Sequence, residues 1–417
     1  MNAIILKLVL VGLLLTDISF VLIPPVRNQS NTLIFLVIIS VNLILSSFLI
    51  YKFESKNLKS LIIFYFLSRI LVFPMMPWLS DDVFTYLWQG KLSYQGINVY
   101  EYSPDAPEMQ NFRNELFSKM GNRDVPAIYP PITLSIFKVN HFCANLITKN
   151  WIFEYFLWKF WLFLSEFLAL FVLFKFLKVH QKFLGIYILS PLPLIEIIGQ
   201  GHNDGLLLII ISIIILFLYK YFSTNNKTYL FCLSFTISCG ALIKIIPIIF
   251  SGIIFRFKVK FLDKVLYLLF IIIVTLTIFS LFLNTSQSWD NFQAGMDFYN
   301  NKALFFSAPL FMINYILKVL NFDNWWIVGP KIIQFLKFSL ILVVLIKIKP
   351  ESFQKSLNMI ILLYLITLLI SVKVHPWYFA PMILLLSFRG KISAIIALSL
   401  SIFSYYPYLF NEFIYYE

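Results

Sequence analysis

Ser80-Asp81-Asp82-Val83-Phe84-Thr85-Tyr86-Leu87-Trp88-Gln89-Gly90-Lys91 sets two adjacent carboxylates at the mouth of an apolar span and opens a polar stretch that runs to Pro131. Around it the chain is almost all oily helix sequence, where an acidic side chain is costly and needs a reason. This stretch therefore decides the architecture: a helical membrane bundle with one large loop, residues 79–130, gathered on one face. No other segment is long and polar enough to form a soluble domain, so residues 1–417 read as a single integral-membrane domain.

Composition agrees. The chain is 60% hydrophobic and 13% charged, with a mean hydropathy of +0.84, whereas soluble domains carry about 25% charged residues. Long apolar runs recur from end to end, the mark of an all-α polytopic membrane protein. The net charge of +13 does not point to nucleic acid, because the lysines sit in short clusters between spans. Cys143, Cys232 and Cys239 give no disulfide framework. The first span, 4–23, has a weak basic flank and no small-residue cleavage site, so it reads as a retained helix.

The basic clusters orient the chain. Lys52/Lys56/Lys59, Lys175/Lys178/Lys182, Lys220/Lys227, Arg256/Lys258/Lys260/Lys264, Lys347/Lys349/Lys355 and Arg389/Lys391 hold 17 of the 33 Lys and Arg, opposed only by Glu54, Asp263 and Glu351. With all six clusters in the cytoplasm, spans at 4–23, 31–51 and 60–78 leave the Asp81/Asp82 loop outside. Segment 131–148 then dips into the outer leaflet without crossing. Spans at 152–174, 183–199 and 204–220 follow. The run 229–255 must go out and return, with its turn near Lys244-Ile245-Ile246-Pro247. It is short for two crossings of about 20 residues each, so two half-length helices are expected. Segment 304–325, ending in Trp325-Trp326, reads as interfacial. Spans at 263–284, 328–346, 357–372, 375–388 and 391–410 bring the total to about 13 crossings, with the N-terminus inside.

Charge bias alone, blind to the motifs, places every polar motif on the extracytoplasmic face. Asp81 and Asp82 open a helix-periodic segment in which Tyr86 and Gln89 share the face of Asp82. Ser80 or Asp81 can serve as its N-cap while the other carboxylate does chemistry. Tyr86, Lys91 and Tyr129 (in Tyr129-Pro130-Pro131) are candidate substrate contacts. The turn-rich loop Gly96-Ile97-Asn98-Val99-Tyr100-Glu101-Tyr102-Ser103-Pro104 combines aromatic faces with amides and hydroxyls, which suits a sugar ring, although interfacial Tyr also serves packing. Gln200-Gly201-His202-Asn203-Asp204-Gly205 concentrates polar side chains between two spans. Asp204 can cap the next helix, while His202 and Asn203 are candidates for substrate contact, with Glu196 facing the same region. Lys244 stands alone among apolar residues near the outer face, either snorkelling or neutralising a phosphate. Lys373-Val374-His375-Pro376-Trp377-Tyr378 starts another span, and His375 is either a titrating group or a donor to a backbone carbonyl. Glu166 and Lys159, seven residues apart in mid-span, read as a structural ion pair. The four histidines show no metal spacing, and no phosphate-binding glycine loop occurs.

A carboxylate base, cationic groups and aromatic surfaces on an outer face suggest glycosyl transfer. Nucleotide sugars are absent outside the cytoplasm, so the donor would be a sugar on a polyprenyl phosphate. Its phosphate leaves readily and needs positive charge, while the acceptor hydroxyl needs a base.

Ser-Asp-Asp-Val-Phe-x-Tyr-x-Trp-x-Gly-Lys, Gly-Ile-Asn-x-Tyr, Ile-Tyr-Pro-Pro, Gly-His-Asn-Asp, Lys-x-x-Pro and His-Pro-Trp-Tyr, in this order over roughly residues 60–390, resemble the GT-C superfamily. Within it they are most similar to bacterial polyprenyl-phosphate-mannose-dependent mannosyltransferases. The resemblance implies a GT-C-like bundle and an inverting, metal-independent transferase of the cell membrane. It also implies an acidic catalytic residue in the first large outer loop, which falls on Asp82, with Asp81 orienting it or the acceptor. The expected partners are a polyprenyl-phosphate-linked sugar donor, a glycan or lipid-glycan acceptor and the membrane lipids; no cofactor is implied. Two alternatives remain. A lipid-linked sugar flippase would place its ionisable groups at the midplane and show internal repeats, and an O-antigen-type ligase or polymerase would carry its large loop later in the chain.

Overall fold

The computed structural model describes residues 3–52, 58–177, 181–302 and 305–409. Glu54, Lys56, Lys178, Leu304 and Phe410, which fall within segments named above, lie outside them. The described residues form helices and turns with no strand. In chain order the helices are α1 (Ala3–Leu22), α2 (Gln29–Lys52), α3 (Leu58–Val72), α4 (Asp82–Tyr94), α5 (Glu115–Lys119), α6 (Pro131–Asn145), α7 (Trp151–Phe176), α8 (Gln181–Ile188) and α9 (Pro191–Pro193). Then come α10 (Gly205–Thr224), α11 (Thr228–Ile243), α12 (Phe261–Phe282), α13 (Ser286–Asp297), α14 (Ala308–Val319), α15 (Trp325–Lys347), α16 (Phe353–Leu369), α17 (Phe379–Ser387) and α18 (Lys391–Phe403). Among the described residues seven helical segments, Ile4–Leu22, Gln29–Lys52, Trp151–Phe176, Gly205–Thr224, Phe261–Phe282, Trp325–Lys347 and Lys391–Leu409, are long and apolar enough to cross a membrane. The other expected crossings fall on shorter helices.

Two expected spans are corrected. The one over 60–78 ends at Val72, because Pro74 and Pro77 withhold backbone donors and bias the residues before them away from helix. The one over 183–199 is broken by Pro191 and Pro193 into α8, α9 and a π-turn at Leu194–Gly199. The break at Lys244 falls where expected: α11 stops at Ile243, Lys244 is extended (φ −152°, ψ 135°), and a 3₁₀ run follows over Ile246–Arg256.

The chain divides into two compact units. One comprises Met1–Val83, Tyr155–Ile209 and His375–Phe413. Here α1 packs on α2 and α3, and α18 on α2 and α17. Phe35 is its aromatic hub, touching Phe20, Trp78 and Tyr405 at centroid distances of 5.5, 5.6 and 5.1 Å. Glu166 is fully buried and pairs with Arg69, not with Lys159 as its spacing suggests. The Arg69 guanidinium donates to both carboxylate oxygens (3.2 and 3.1 Å), and the Tyr65 and Tyr187 hydroxyls donate to the same group. Such full satisfaction is what lets a charge pair stay buried. Lys159 instead donates to the carbonyls of Phe73 and Met75, the latter at 2.8 Å. One turn along α7, Tyr155 donates to Met75 and Gly199, and Trp158 to Gly201. One face of α7 thus holds both the exit of α3 and the turn before α10.

The other unit comprises Phe84–Glu154 and Ile210–Val374. There α11 packs on α12, α6 and the 3₁₀ run, and α15 on α14 and α16. The body of α4 lies tight against α6: a Cβ on Gly90 would come within 2.5 Å of the Phe137 carbonyl oxygen. The loop after α4 is docked on α13 and its approach. Asn98 donates to the Phe282 carbonyl, Thr285 to the Glu101 carboxylate, and Gln287 and Asn291 to the Glu101 carbonyl.

Candidate functional site

Eight of the residues singled out in the sequence lie in the first unit: Asp81, Asp82, His202, Asn203, Asp204, His375, Trp377 and Tyr378. Asp82 is the first residue of α4, and its N–H donates to the Ser80 hydroxyl at 3.2 Å. Of the two capping candidates, Ser80 and Asp81, it is the Ser80 hydroxyl that accepts this N–H, and the Asp82 side chain is 40% exposed. The segment leading to it is fixed by a residue whose role spacing does not reveal. The Gln200 side-chain carbonyl accepts the N–H groups of both Trp78 and Leu79, each at 3.0 Å.

Gln200 ends the π-turn Leu194–Gly199, where the Gln200 N–H reaches the Ile195 carbonyl (2.8 Å) and the His202 N–H the Glu196 carbonyl (3.0 Å). A π-turn widens the helix and re-aims side chains, which is why such turns recur at functional sites. Gly201 follows at φ +81°, a conformation that L side chains adopt rarely, and a Cβ there would press on the Tyr155 ring at 3.2 Å. This turn swings His202 back over Glu196. Its Nε2 lies 3.3 Å from Glu196 Oε2, and its Nδ1 lies 3.9 Å from Asp82 Oδ2. Behind Glu196, the Tyr405 hydroxyl donates to Oε1. His202 is 2% exposed and Asp82 40%, so the chain of groups runs from the interior to an accessible carboxylate.

His202 is also held from its face. Its ring stacks on Trp377 at 3.7 Å and 14°, and Trp377 stacks on His375 at 4.3 Å and 6°. Tyr378 closes the group edge-on to His375 at 5.4 Å. His375-Pro376-Trp377-Tyr378 and Gly201-His202 are thus one aromatic assembly, although more than 170 residues separate them. Asn203 and Asp204 are buried in the same turn, where their carbonyls accept the N–H groups of Leu206 and Leu207 as α10 begins.

Arg27, between α1 and α2, lies 3.9 Å from Asp81 Oδ2, with 28% and 43% of the two side chains exposed. Burial pushes the Asp81 carboxyl above the usual carboxylate range, and the Arg27 guanidinium opposes that. Arg27, Glu196, Gln200 and Tyr405 complete the group. Glu196 and Gln200 carry a sequence signal, since both flank the Gly-His-Asn-Asp turn. Arg27 and Tyr405 carry none.

The remaining candidates lie in the second unit. Tyr86 stacks on Phe137 (4.9 Å, 14°) and meets Tyr129 edge-on at 5.2 Å, and the Tyr100 hydroxyl donates to the Tyr129 carbonyl. Lys91 donates to the Phe112 carbonyl at 3.4 Å. Lys244 is half-buried at the end of α11, beside the Ile243 carbonyl that accepts the Thr133 hydroxyl at 2.7 Å. The Lys373 ammonium sits 3.8 Å above the Tyr299 ring, a cation–π contact. Among the described residues no group of three or more metal-ligating side chains occurs.

The profile of the family described as alpha-(1->6)-mannopyranosyltransferase, N-terminal domain, matches residues 7–259. No curated protein and no solved structure matches the chain. The matched residues run from α1 through α11 and include Asp81, Asp82, Glu196 and the Gln200–Asp204 turn. That is more than half of a chain built of apolar helices around a carboxylate–imidazole site. The chain belongs to the alpha-(1->6)-mannopyranosyltransferase family and is a membrane mannosyltransferase.

Proposed function

We propose that the protein transfers mannose from a polyprenyl-phosphate donor to a glycan or lipid-glycan hydroxyl at the extracytoplasmic face of the cell membrane, with inversion and with Asp82 as the general base. The observation that carries this reading is the accessible Asp82 carboxylate at the start of α4, backed by buried His202 at 3.9 Å. Asp82 removes the acceptor proton as the acceptor oxygen attacks the anomeric carbon. The bond from that carbon to the phosphate oxygen breaks, and its electron pair leaves with the polyprenyl phosphate. An α-linked product formed with inversion requires a β-linked donor, so the family's linkage and the proposed stereochemistry together specify the anomer.

Leaving-group charge is met by cations. Arg27 is a cation beside Asp81, and Lys244 is the candidate that the sequence offers for the phosphate. Asp81, loosely paired with Arg27, orients Asp82 or the acceptor. Tyr86, Lys91, Tyr129, Asn203, Asp204, His375, Trp377 and Tyr378 are the further residues proposed to bind or position substrate.

Purified protein in liposomes, supplied with a β-linked polyprenyl-phosphate mannose and an acceptor panel, tests the proposal. Asp82→Asn should lower transfer by about 10²–10⁴-fold without altering the thermal transition. A folded Asp82→Asn that transfers at the wild-type rate would remove the base from this residue. Movement of the lipid-linked sugar across the bilayer without transfer would favour the flippase.

A further inference from the structure

His202 has a carboxylate at each ring nitrogen, yet a neutral imidazole can donate from only one of them. Both contacts become favourable together when the ring carries two protons, as an imidazolium between two anions. Whether it does depends on Glu196, the buried carboxylate at 3.3 Å. The Glu196 side chain is almost wholly enclosed, so its ionised form must be supported by partners. The Tyr405 hydroxyl gives that support by donating to Oε1, leaving Oε2 to His202. Trp377, stacked on the imidazole, fixes the ring plane so that the two nitrogens keep their separate partners. Among the other charged or titratable groups around this chain, Asp204 opposes ionisation of Glu196, so the Tyr405 hydroxyl and the imidazolium must outweigh it, and Tyr408 faces Glu196, Arg27, Asp81 and Asp82. His375 lies across Trp377.

We infer that Glu196, supported by Tyr405, is a positioning residue for transfer: its charge keeps a second proton on His202 and thereby a positive charge beside Asp82. The inference rests on the reading of Asp82 as the base and adds two residues that touch neither sugar nor acceptor. A cation next to Asp82 favours its ionised form, so the base is ready at a lower pH. When Asp82 takes the acceptor proton, His202 loses the anion on its Nδ1 side. Its proton can then shift to Glu196, and Asp82, at the accessible end, returns its own proton to solvent.

The test is histidine NMR on the isotope-labelled full-length protein in detergent, alongside pH profiles of mannosyl transfer. The four histidines allow His202 to be assigned by the signal that disappears in His202→Gln. In Glu196→Gln, which keeps the shape and the contact with Tyr405, His202 should titrate at least about 1 pH unit lower. The acid limb of kcat/KM should move to higher pH by a similar amount, and kcat should fall about tenfold or more while the KM for donor stays near wild type. Glu196→Asp, which retains the charge, should restore part of each change. Tyr405→Phe should move both titrations in the same direction by less, and it keeps the inference falsifiable should Glu196→Gln fail to fold. A His202 titration and an acid limb that stay at wild-type values in folded variants would overturn it. Full activity of Asp82→Asn would instead sink the base assignment, and the histidine titration would still decide the coupling.

Discussion

Replacing Gln200 by leucine should disable the enzyme without touching any group that meets substrate. The Gln200 side-chain oxygen accepts two consecutive backbone N–H groups, those of Trp78 and Leu79, both in residues buried from solvent. Leucine has nearly the same volume and no acceptor, so both donors lose their partner at once. A buried donor left unsatisfied costs about 1–3 kcal/mol, which puts the destabilisation at about 2–6 kcal/mol, with local relaxation favouring the lower end. The segment ends three residues before Asp82, so its loosening should also let the carboxylate drift from His202. Misplacement of a catalytic group by about 1 Å can cost 10²-fold in rate. Thermal unfolding in detergent and transfer rates below the transition give the two readouts. Gln200→Glu is the control, since it keeps an oxygen where the acceptor stands and should recover more activity than leucine. A Gln200→Leu protein with the wild-type transition and rate would refute the reasoning.

Glu166→Ala should be destabilised by about 3–5 kcal/mol, because it strands the Arg69 guanidinium in the interior, and the double change Arg69→Met/Glu166→Leu should recover most of that in the same unfolding assay. Gly90→Ala forces α4 away from the Phe137 carbonyl. Overpacking of this kind costs about 1–3 kcal/mol, visible as a lowered transition temperature. For Asp81, whose carboxyl is raised in the folded protein, the folded state binds the proton more tightly than the unfolded one. Its share of stability is therefore complete below the ordinary carboxylate range and declines as pH rises towards the raised value. Asp81→Asn should flatten that part of the stability–pH curve, and an unchanged slope would exclude Asp81 as its source.

Much of this architecture could be read along the chain. Apolar runs gave most of the long helices, and an isolated Lys before Ile-Ile-Pro marked the break after α11. The Asp-Asp, Gly-His-Asn-Asp and His-Pro-Trp-Tyr motifs stood out because polar residues in oily sequence carry a cost that their function must justify. Pairings made only through space could not be read. Glu166 has Lys159 on its own helix face, two turns away, yet it binds Arg69 on another helix, because Lys159 is held by the open carbonyls at the end of α3. Tyr405 and Glu196 meet across 209 positions with nothing periodic to announce it. The prolines after Val72 and at 191 and 193 did carry a local signal, and they override the hydropathy that suggested unbroken spans.

The shortness of α3 bears on where the chemistry takes place. Its 15 residues rise about 22 Å, less than the roughly 30 Å of a bilayer's hydrocarbon. On the proposed topology the segment carrying Asp81 and Asp82 begins inside the slab, not above it. In the proposed reaction, a sugar phosphate on a polyprenyl tail would then meet the carboxylates with its lipid chain still in the hydrocarbon.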